Sequence, residues 1–232
     1  MKIQVWSDIM CPFCYIAKKN FEAALENSPF KNEVEVEWKS FQLDPDLKEN
    51  SGTVSISEYL MKRKGFSEPQ LKQFQNQLKE MGNAAGVTFN QDTTIAAETF
   101  SAHKLLHFAK ENNKADTMEE ALFVAHFTNG KNIADADFLV SLAEELGLDK
   151  EKARKILSED AYDYEVKQDI MEAHNLGISG VPYYLLDNKY AVSGAQPVEL
   201  FTRALAQTYQ ESIVNLSKTS GENMCGADGC SI

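Results

Sequence analysis

Cysteine is scarce in this chain and unevenly placed. The 232 residues hold four, at positions 11, 14, 225 and 230. Four are too few for a disulfide scaffold, and a chain that keeps cysteine only near its ends is using it for chemistry. Basic residues are short as well: 23 Lys and Arg against 35 Asp and Glu leave a formal net charge of −12. That balance excludes a general attraction to nucleic acid or anionic lipid, and neither is expected as a partner. The one basic run, Lys62-Arg63-Lys64, reads as the charged last turn of a helix. No apolar stretch approaches a membrane span of about 18 residues. Met1 to Asp8 reads as a short strand with the first cysteines directly after it, so no signal peptide is expected. The expected compartment is the reducing cytoplasm, where a cysteine pair is more often catalytic or metal-binding than structural.

What is present is ordinary for a globular protein, 43% hydrophobic and 25% charged, which excludes disorder, collagen and coiled coil for the chain as a whole. The length suits one domain with an insertion, or two small domains. Residues 2–7 alternate as a strand, and 12–27 carry helical spacing through Ile16, Ala17, Phe21, Ala24 and Leu25, with Pro12 suited to the first turn. Glu33 to Phe41 alternates as a second strand. Residues 55–177 then show helix signals almost throughout. Ser55 with Glu58, Ser67 with Gln70 and Thr117 with Glu120 have capping-box spacing, and Gly65, Gly82, Gly130, Gly147 and Gly177 are placed as stops. A helix is expected over 94–110. Tyr183 to Leu186, the turn Asp187-Asn188 and Tyr190 to Val192 read as a hairpin, and Pro197 opens a last helix. Residues 217–232 are rich in Ser, Gly and Asn and are expected to form a flexible tail. Strands split by a helical block predict one α/β domain interrupted by an all-α insertion.

Cys11-Pro12-Phe13-Cys14 falls where the first strand ends and the first helix begins. Cys11 is then near the helix N-cap, where free N–H groups and the positive dipole end stabilise a thiolate. Cys14, one turn on, is placed to attack a mixed disulfide formed on Cys11. This reading makes Cys11 the nucleophile, nearer the helix end and more exposed, and Cys14 the resolving thiol. The alternatives are a structural disulfide or half of a zinc site, the other half coming from the C-terminal pair. Zinc wants four ligands; the four histidines, 103, 107, 126 and 174, lie on expected helices, and His103 with His107 lacks the Glu of a zincin motif. They read as surface or core residues, and no metal is expected.

The segment Gly177-Ile178-Ser179-Gly180-Val181-Pro182-Tyr183 enters the third strand through Val-Pro. Pro182 suits a strand's first residue; the alternative is a cis-proline facing the CxxC, with the Val181 backbone offered to an extended peptide.

Together, the strand Trp6-Ser7-Asp8 running into Cys11-Pro12-Phe13-Cys14, the helical insertion, Val181-Pro182 and Val192-Ser193-Gly194-Ala195-Gln196 resemble the DsbA family of thioredoxin-fold oxidoreductases, FrnE-like cytoplasmic branch, over residues 2–210. The resemblance implies a thioredoxin-like domain from 1–43 and 178–216, a helical insertion over 44–177, and a tail from 217. It implies that Cys11 attacks, Cys14 resolves, and Val181 and Pro182, with Pro12 and Phe13, line the substrate groove. It implies a thiol–disulfide oxidoreductase of protein or peptide substrates, with a redox-active disulfide rather than a bound cofactor. Glutathione or another thiol is a candidate reductant, and a redox partner recycles the pair. One departure matters: periplasmic DsbA has His where this chain has Phe13, so a less oxidising couple is expected. Kappa-class glutathione transferases and 2-hydroxychromene-2-carboxylate isomerases share the fold but carry Ser at the active position; they remain the alternative within the fold, and a peptide-binding chaperone without turnover the alternative outside it.

Cys225 and Cys230 are spaced to close a small loop, and some FrnE-like proteins resemble this chain in carrying such a pair. Eight residues from Ser217 span at most about 28 Å, enough to reach across a small domain. The pair is expected to be an auxiliary redox pair exchanging with Cys11 and Cys14; the alternative is an incidental pair or a metal clip. Trp6, Phe13 and Tyr15 are candidates for an apolar lip, Asp8 for a loop cap, and Phe74, Phe100, Phe108, Phe123 and Phe127 for core.

Overall fold

The computed structural model describes residues 1–47 and 52–221, with side chains of the last helix as far as Ile213. Strand β1 (Lys2–Ser7) leads into helix α1 (Pro12–Glu26) and then strand β2 (Glu35–Ser40). Helices α2 (Ile56–Lys64), α3 (Glu68–Ala84), α4 (Phe100–Glu111), α5 (Ala115–Phe123), α6 (Ala136–Glu145), α7 (Lys150–Ser158) and α8 (Asp163–Asn175) follow. The chain closes with β3 (Tyr183–Leu186), β4 (Tyr190–Ser193) and α9 (Val198–Gly221).

The four strands form one mixed sheet in the order β2-β1-β3-β4. β1 runs parallel to β2, with Val5 opposite Trp38, and antiparallel to β3, with Val5 opposite Tyr184. β3 and β4 make the expected hairpin; Asp187 and Asn188 turn it with φ of 50° and 55°, the conformation short polar residues tolerate. β1 is central and covered on both faces. Ile3 and Val5 pack with Ala17 and Phe21 of α1 and Phe201 and Leu205 of α9. Trp6, on the other face, packs with Ala173 of α8 and Ile178.

The helical block has its own core of Leu105, Phe108, Met118, Leu122, Phe123 and Leu139, and this core continues into Ile9, Cys11, Cys14 and Tyr15. The start of α1 is therefore packed into the block, which sets what covers the cysteines.

Several expected boundaries move, each for a local reason. The helix expected from 94 begins at Phe100, because the backbone of 94–96 pairs instead with 54–56: Ile56 N–H donates to Thr94 and Ala96 N–H to Val54. α3 runs past Gly82, which packs against the Phe89 ring so closely that a Cβ would meet it at 2.6 Å; the left-handed turn comes at Gly86. Ser55 and Ser67 cap α2 and α3 as expected. Thr117 and Glu120 do not cap: α5 starts at Ala115, and Glu120 accepts from the Tyr15 hydroxyl instead. α5 continues into a π-helical turn, Val124–Thr128, that periodicity did not reveal. α9 extends to Gly221, past the expected tail boundary at 217, since adding a turn to an existing helix is far easier than starting one.

Asp169 of α8 fastens the block to the sheet. Its carboxylate accepts from Ser40 N–H at 2.9 Å and lies 3.0 Å from Lys39 Nζ and 3.1 Å from His107 Nε2; its backbone carbonyl accepts from the Trp6 indole N–H at 3.1 Å. Burial raises its pKa, but the bonds from His107, Ser40 and Lys39 outweigh this and hold it below the usual carboxylate value. A depressed folded-state pKa contributes stability that is present above the unfolded value, about 3.9, and is lost as pH falls through the folded one. Asp169→Ala is expected to lower unfolding free energy at pH 7 by about 3 kcal/mol, leaving Lys39 with one carboxylate fewer. The difference should shrink below about pH 4. Urea unfolding at pH 7 and pH 3 measures both; an equal loss at the two pH values would contradict the assignment.

Candidate active site

The β1–α1 connection places the cysteines. Asp8 is buried; its carboxylate accepts from Met10 N–H at 3.3 Å and Leu43 N–H at 2.7 Å, and its carbonyl from Cys11 N–H at 2.9 Å. Asp8 is thus the loop cap that the sequence allows for. Cys11 is the N-cap of α1, in extended conformation, and Pro12 holds the first turn. Cys14 N–H donates to the Cys11 carbonyl at 3.0 Å. Both cysteines are free thiols.

Cys11 is the more exposed of the two thiols, as expected, though both are buried. Cys11 is 3% and Cys14 1% exposed. The helical block covers both, and they differ in what they face. Cys11 lines a cavity of about 300 Å³ that Cys14 does not reach, and its thiol donates to the Val181 carbonyl at 3.6 Å. Residues 170 positions apart in sequence thereby meet at one sulfur. The Val181–Pro182 peptide bond is cis; Val181 is half-buried, and the Pro182 carbonyl accepts from Gly194 N–H at 2.9 Å.

Phe13 lines the same cavity and meets Phe74 edge-on, their centroids 6.0 Å apart. Phe74 therefore belongs to the cavity wall, as does the buried Phe127, whereas Phe108 and Phe123 are core. Trp6 and Tyr15 are core as well and cannot form a lip. Trp6 has no exposed surface, and Tyr15 stacks on Phe123 at 5.0 Å. His103 lies against the Phe41 carbonyl at 2.9 Å, 3.7 Å from Asp8, and His107 against Ser40 and Asp169. His126 is fully buried, and burial lowers its pKa to about 4. Cys225 and Cys230 lie outside the described residues.

Beneath Cys14 is a group of polar side chains that sequence reasoning passed over. Ser7, at the end of β1, neighbours both Cys14 and Glu119 of α5, and Tyr184 of β3 feels the charge of both. Ser7 Oγ, Glu119 Oε2 and Tyr184 Oη are buried without a hydrogen bond of good geometry among the described residues. Burial, reinforced by the Cys11 thiol, raises the Cys14 pKa well above the ordinary thiol value. Burial likewise pushes the Glu119 carboxyl well above its usual range, against the pull of Lys18. The only sequence signal for Glu119 was a Glu on the apolar side of α5, between Met118 and Leu122.

Two outcomes follow from this burial. Iodoacetamide at pH 8 should alkylate Cys11 faster than Cys14 by at least about tenfold, the ratio for one pKa unit, read by peptide mass; equal labelling would contradict the Cys14 environment. Glu119 has a raised folded-state pKa, so it withdraws stability as pH rises from about 4.3 towards that value. Glu119→Gln should accordingly gain stability over the parent as pH rises from 4 to 8 in urea melts; a gap that closes with rising pH would oppose this sign.

A cysteine-capped helix start, a cis Val181–Pro182 bond beside it and a four-stranded mixed sheet split by helices can be compared with known proteins. The model of the DSBA-like thioredoxin domain matches residues 2–206. The uncharacterized protein YwbO of Bacillus subtilis (strain 168) is 31% identical over 208 residues, 88% of this chain and 95% of that one. The crystal structure of a probable DsbA oxidoreductase, SCO1869 of Streptomyces coelicolor, is 36% identical with a TM-score of 0.85, covering 100% of this chain and 99% of that one. The cytosolic disulfide reductase DsbM of Pseudomonas aeruginosa shares the fold at 16% identity and a TM-score of 0.65, over 90% of this chain and 99% of that one. Matched along almost its whole length in sequence and in structure, the chain belongs to the family of the DSBA-like thioredoxin domain.

Proposed function

We propose that this protein is a thiol–disulfide oxidoreductase of protein and peptide disulfides, with Cys11 the attacking and Cys14 the resolving thiol. One observation carries the reading: Cys11 sits at the open end of α1, beside a buried second thiol and against the Val181 carbonyl. The N–H groups and dipole of a helix start favour a thiolate there. The Cys11 thiolate attacks one sulfur of a substrate disulfide, and the other sulfur leaves as a thiolate. Cys14, once deprotonated, attacks the Cys11 sulfur, closes the Cys11–Cys14 disulfide and releases the second substrate thiol. An extended substrate lies along Val181 and Pro182, with Pro12 and Phe13 beside it.

Burial of Cys14 makes its deprotonation the harder step, and Phe13 cannot lend Cys11 the cationic support that a His at that position gives. The couple is accordingly less oxidising than that of periplasmic DsbA. Few cysteines and the likeness to a protein described as cytosolic support action in the cytoplasm, with glutathione or another thiol as reductant and a redox partner for recycling. Cys225 and Cys230 act as an auxiliary pair that exchanges with the first.

Equilibration across graded thiol/disulfide buffers, with free thiols trapped and mapped by peptide mass, tests this reading. Cys11 and Cys14 should titrate together as a two-electron couple with a midpoint more negative than about −120 mV. Cys225 and Cys230 should follow in the same map. Cys11→Ser should abolish insulin reduction. Cysteines 11 and 14 that stay reduced across the whole series would rule out disulfide chemistry.

A further inference from the structure

Cys11 faces two different surroundings. The Val181 carbonyl lies on one side, and the cavity of about 300 Å³ opens on the other. Pro12 and Phe13 of α1, Ile56 and Leu60 of α2, and Phe74 and Leu78 of α3 are among the apolar residues of its wall. Neither Val181 nor Pro182 lines it, so it meets the surface an extended peptide would follow only at Cys11, Pro12 and Phe13. The polar groups at its edge are occupied by protein: Gln75 donates to Ser57 at 3.2 Å, Gln91 to the Gln75 carbonyl at 2.9 Å, and Thr94 to the Asn90 carbonyl at 2.8 Å. Lys64 is the one charged side chain among the described residues lining it, and it lies 3.9 Å from Asp44.

An apolar cavity of this size is at the lower end of the range for small-molecule sites, and such cavities take apolar guests in preference to water. This one has a sulfur nucleophile in its wall. A charged disulfide such as glutathione disulfide would bring four carboxylates to a chain of net charge −12 and find a single lysine, already beside a carboxylate. A neutral arm loses nothing on entering.

We infer that the cavity selects among low-molecular-weight disulfides, admitting one neutral alkyl or aryl arm and holding its sulfur against Cys11. The inference rests on the oxidoreductase reading and adds a substrate class to it. The Cys11 thiolate forms a bond to one sulfur of R–S–S–R while the S–S bond breaks, and R–S⁻ leaves to take a proton from solvent. The retained R group fills the cavity. Cys14 then gives up its proton, attacks the Cys11 sulfur and expels the second R–S⁻. The protein loses two electrons as Cys11–Cys14 forms, and the substrate gains two electrons and two protons.

The experiment uses the full-length reduced protein and the dialkyl series from dimethyl to dibutyl disulfide, together with glutathione disulfide. Each rate constant is divided by that of free dithiothreitol with the same disulfide, which removes intrinsic reactivity. The normalised rate should rise about two- to fourfold per methylene of the arm, up to the transfer limit for a buried CH₂, and glutathione disulfide should fall below dibutyl disulfide. Leu60→Trp, which fills the cavity, should flatten the series, and Phe74→Leu, which enlarges it, should move the best arm to greater length. Circular dichroism checks that each variant keeps the parental fold. Equal normalised rates along the series in the parent protein would overturn the inference alone. So would a steep series that neither variant alters, because the arm would then bind elsewhere. Failure to exchange with every disulfide would remove the oxidoreductase reading and this inference with it.

Discussion

The buried carboxylate of Asp8 ties together the segments on which the site is built. One oxygen accepts from the backbone N–H of Met10 and the other from that of Leu43, while its own carbonyl accepts from Cys11. The end of β1, the exit from β2 and the start of α1 are thereby fixed to one residue. His103 of α4, beside this carboxylate, bonds with the Phe41 carbonyl at 2.9 Å, so the helical block is held there too. A buried carboxylate needs such partners, because unpaired it would cost several kcal/mol. Once they are assembled, Cys11 has little freedom to move relative to Val181 across the sheet.

From that joint follows the difference between two thiols that sequence alone makes nearly equivalent. Both are almost wholly covered, yet one borders a cavity and the other is enclosed by Ser7, Glu119 and Tyr184. Enclosure disfavours charge, so it raises Cys14, Glu119 and Tyr184 together. The difference between the two thiols is therefore a matter of surroundings rather than of residue type.

The helical block does more than fill the gap between two halves of a sheet. Its α2 and α3 wall the cavity in front of Cys11, and its α5 supplies Glu119 behind Cys14. Through Asp169, its α8 is bound to β2 and to Trp6 of β1. The cysteine pair thus lies at a seam: the strand–helix opening holds Cys11 and Cys14, and helices of the block line the cavity beside Cys11.

The sequence by itself determined the strand–helix–strand opening, the hairpin at Asp187-Asn188, the capping of α2 and α3, and the cysteine pair at a helix start. These are local matters, written in periodicity of two or 3.6, in caps and in turn residues whose backbone preferences act over a few positions. The start of α4 was misplaced because residues 94–96 are engaged by 54–56, a pairing between segments distant in sequence. Glu119 looked like any helical acid, and Phe74 like any core aromatic. Only the tertiary structure decided that the first lies buried under Cys14, that the second walls a cavity, and that Val181 meets Cys11. Burial and charge environment belong to the neighbours a side chain acquires on folding, and no local pattern records which neighbours those will be.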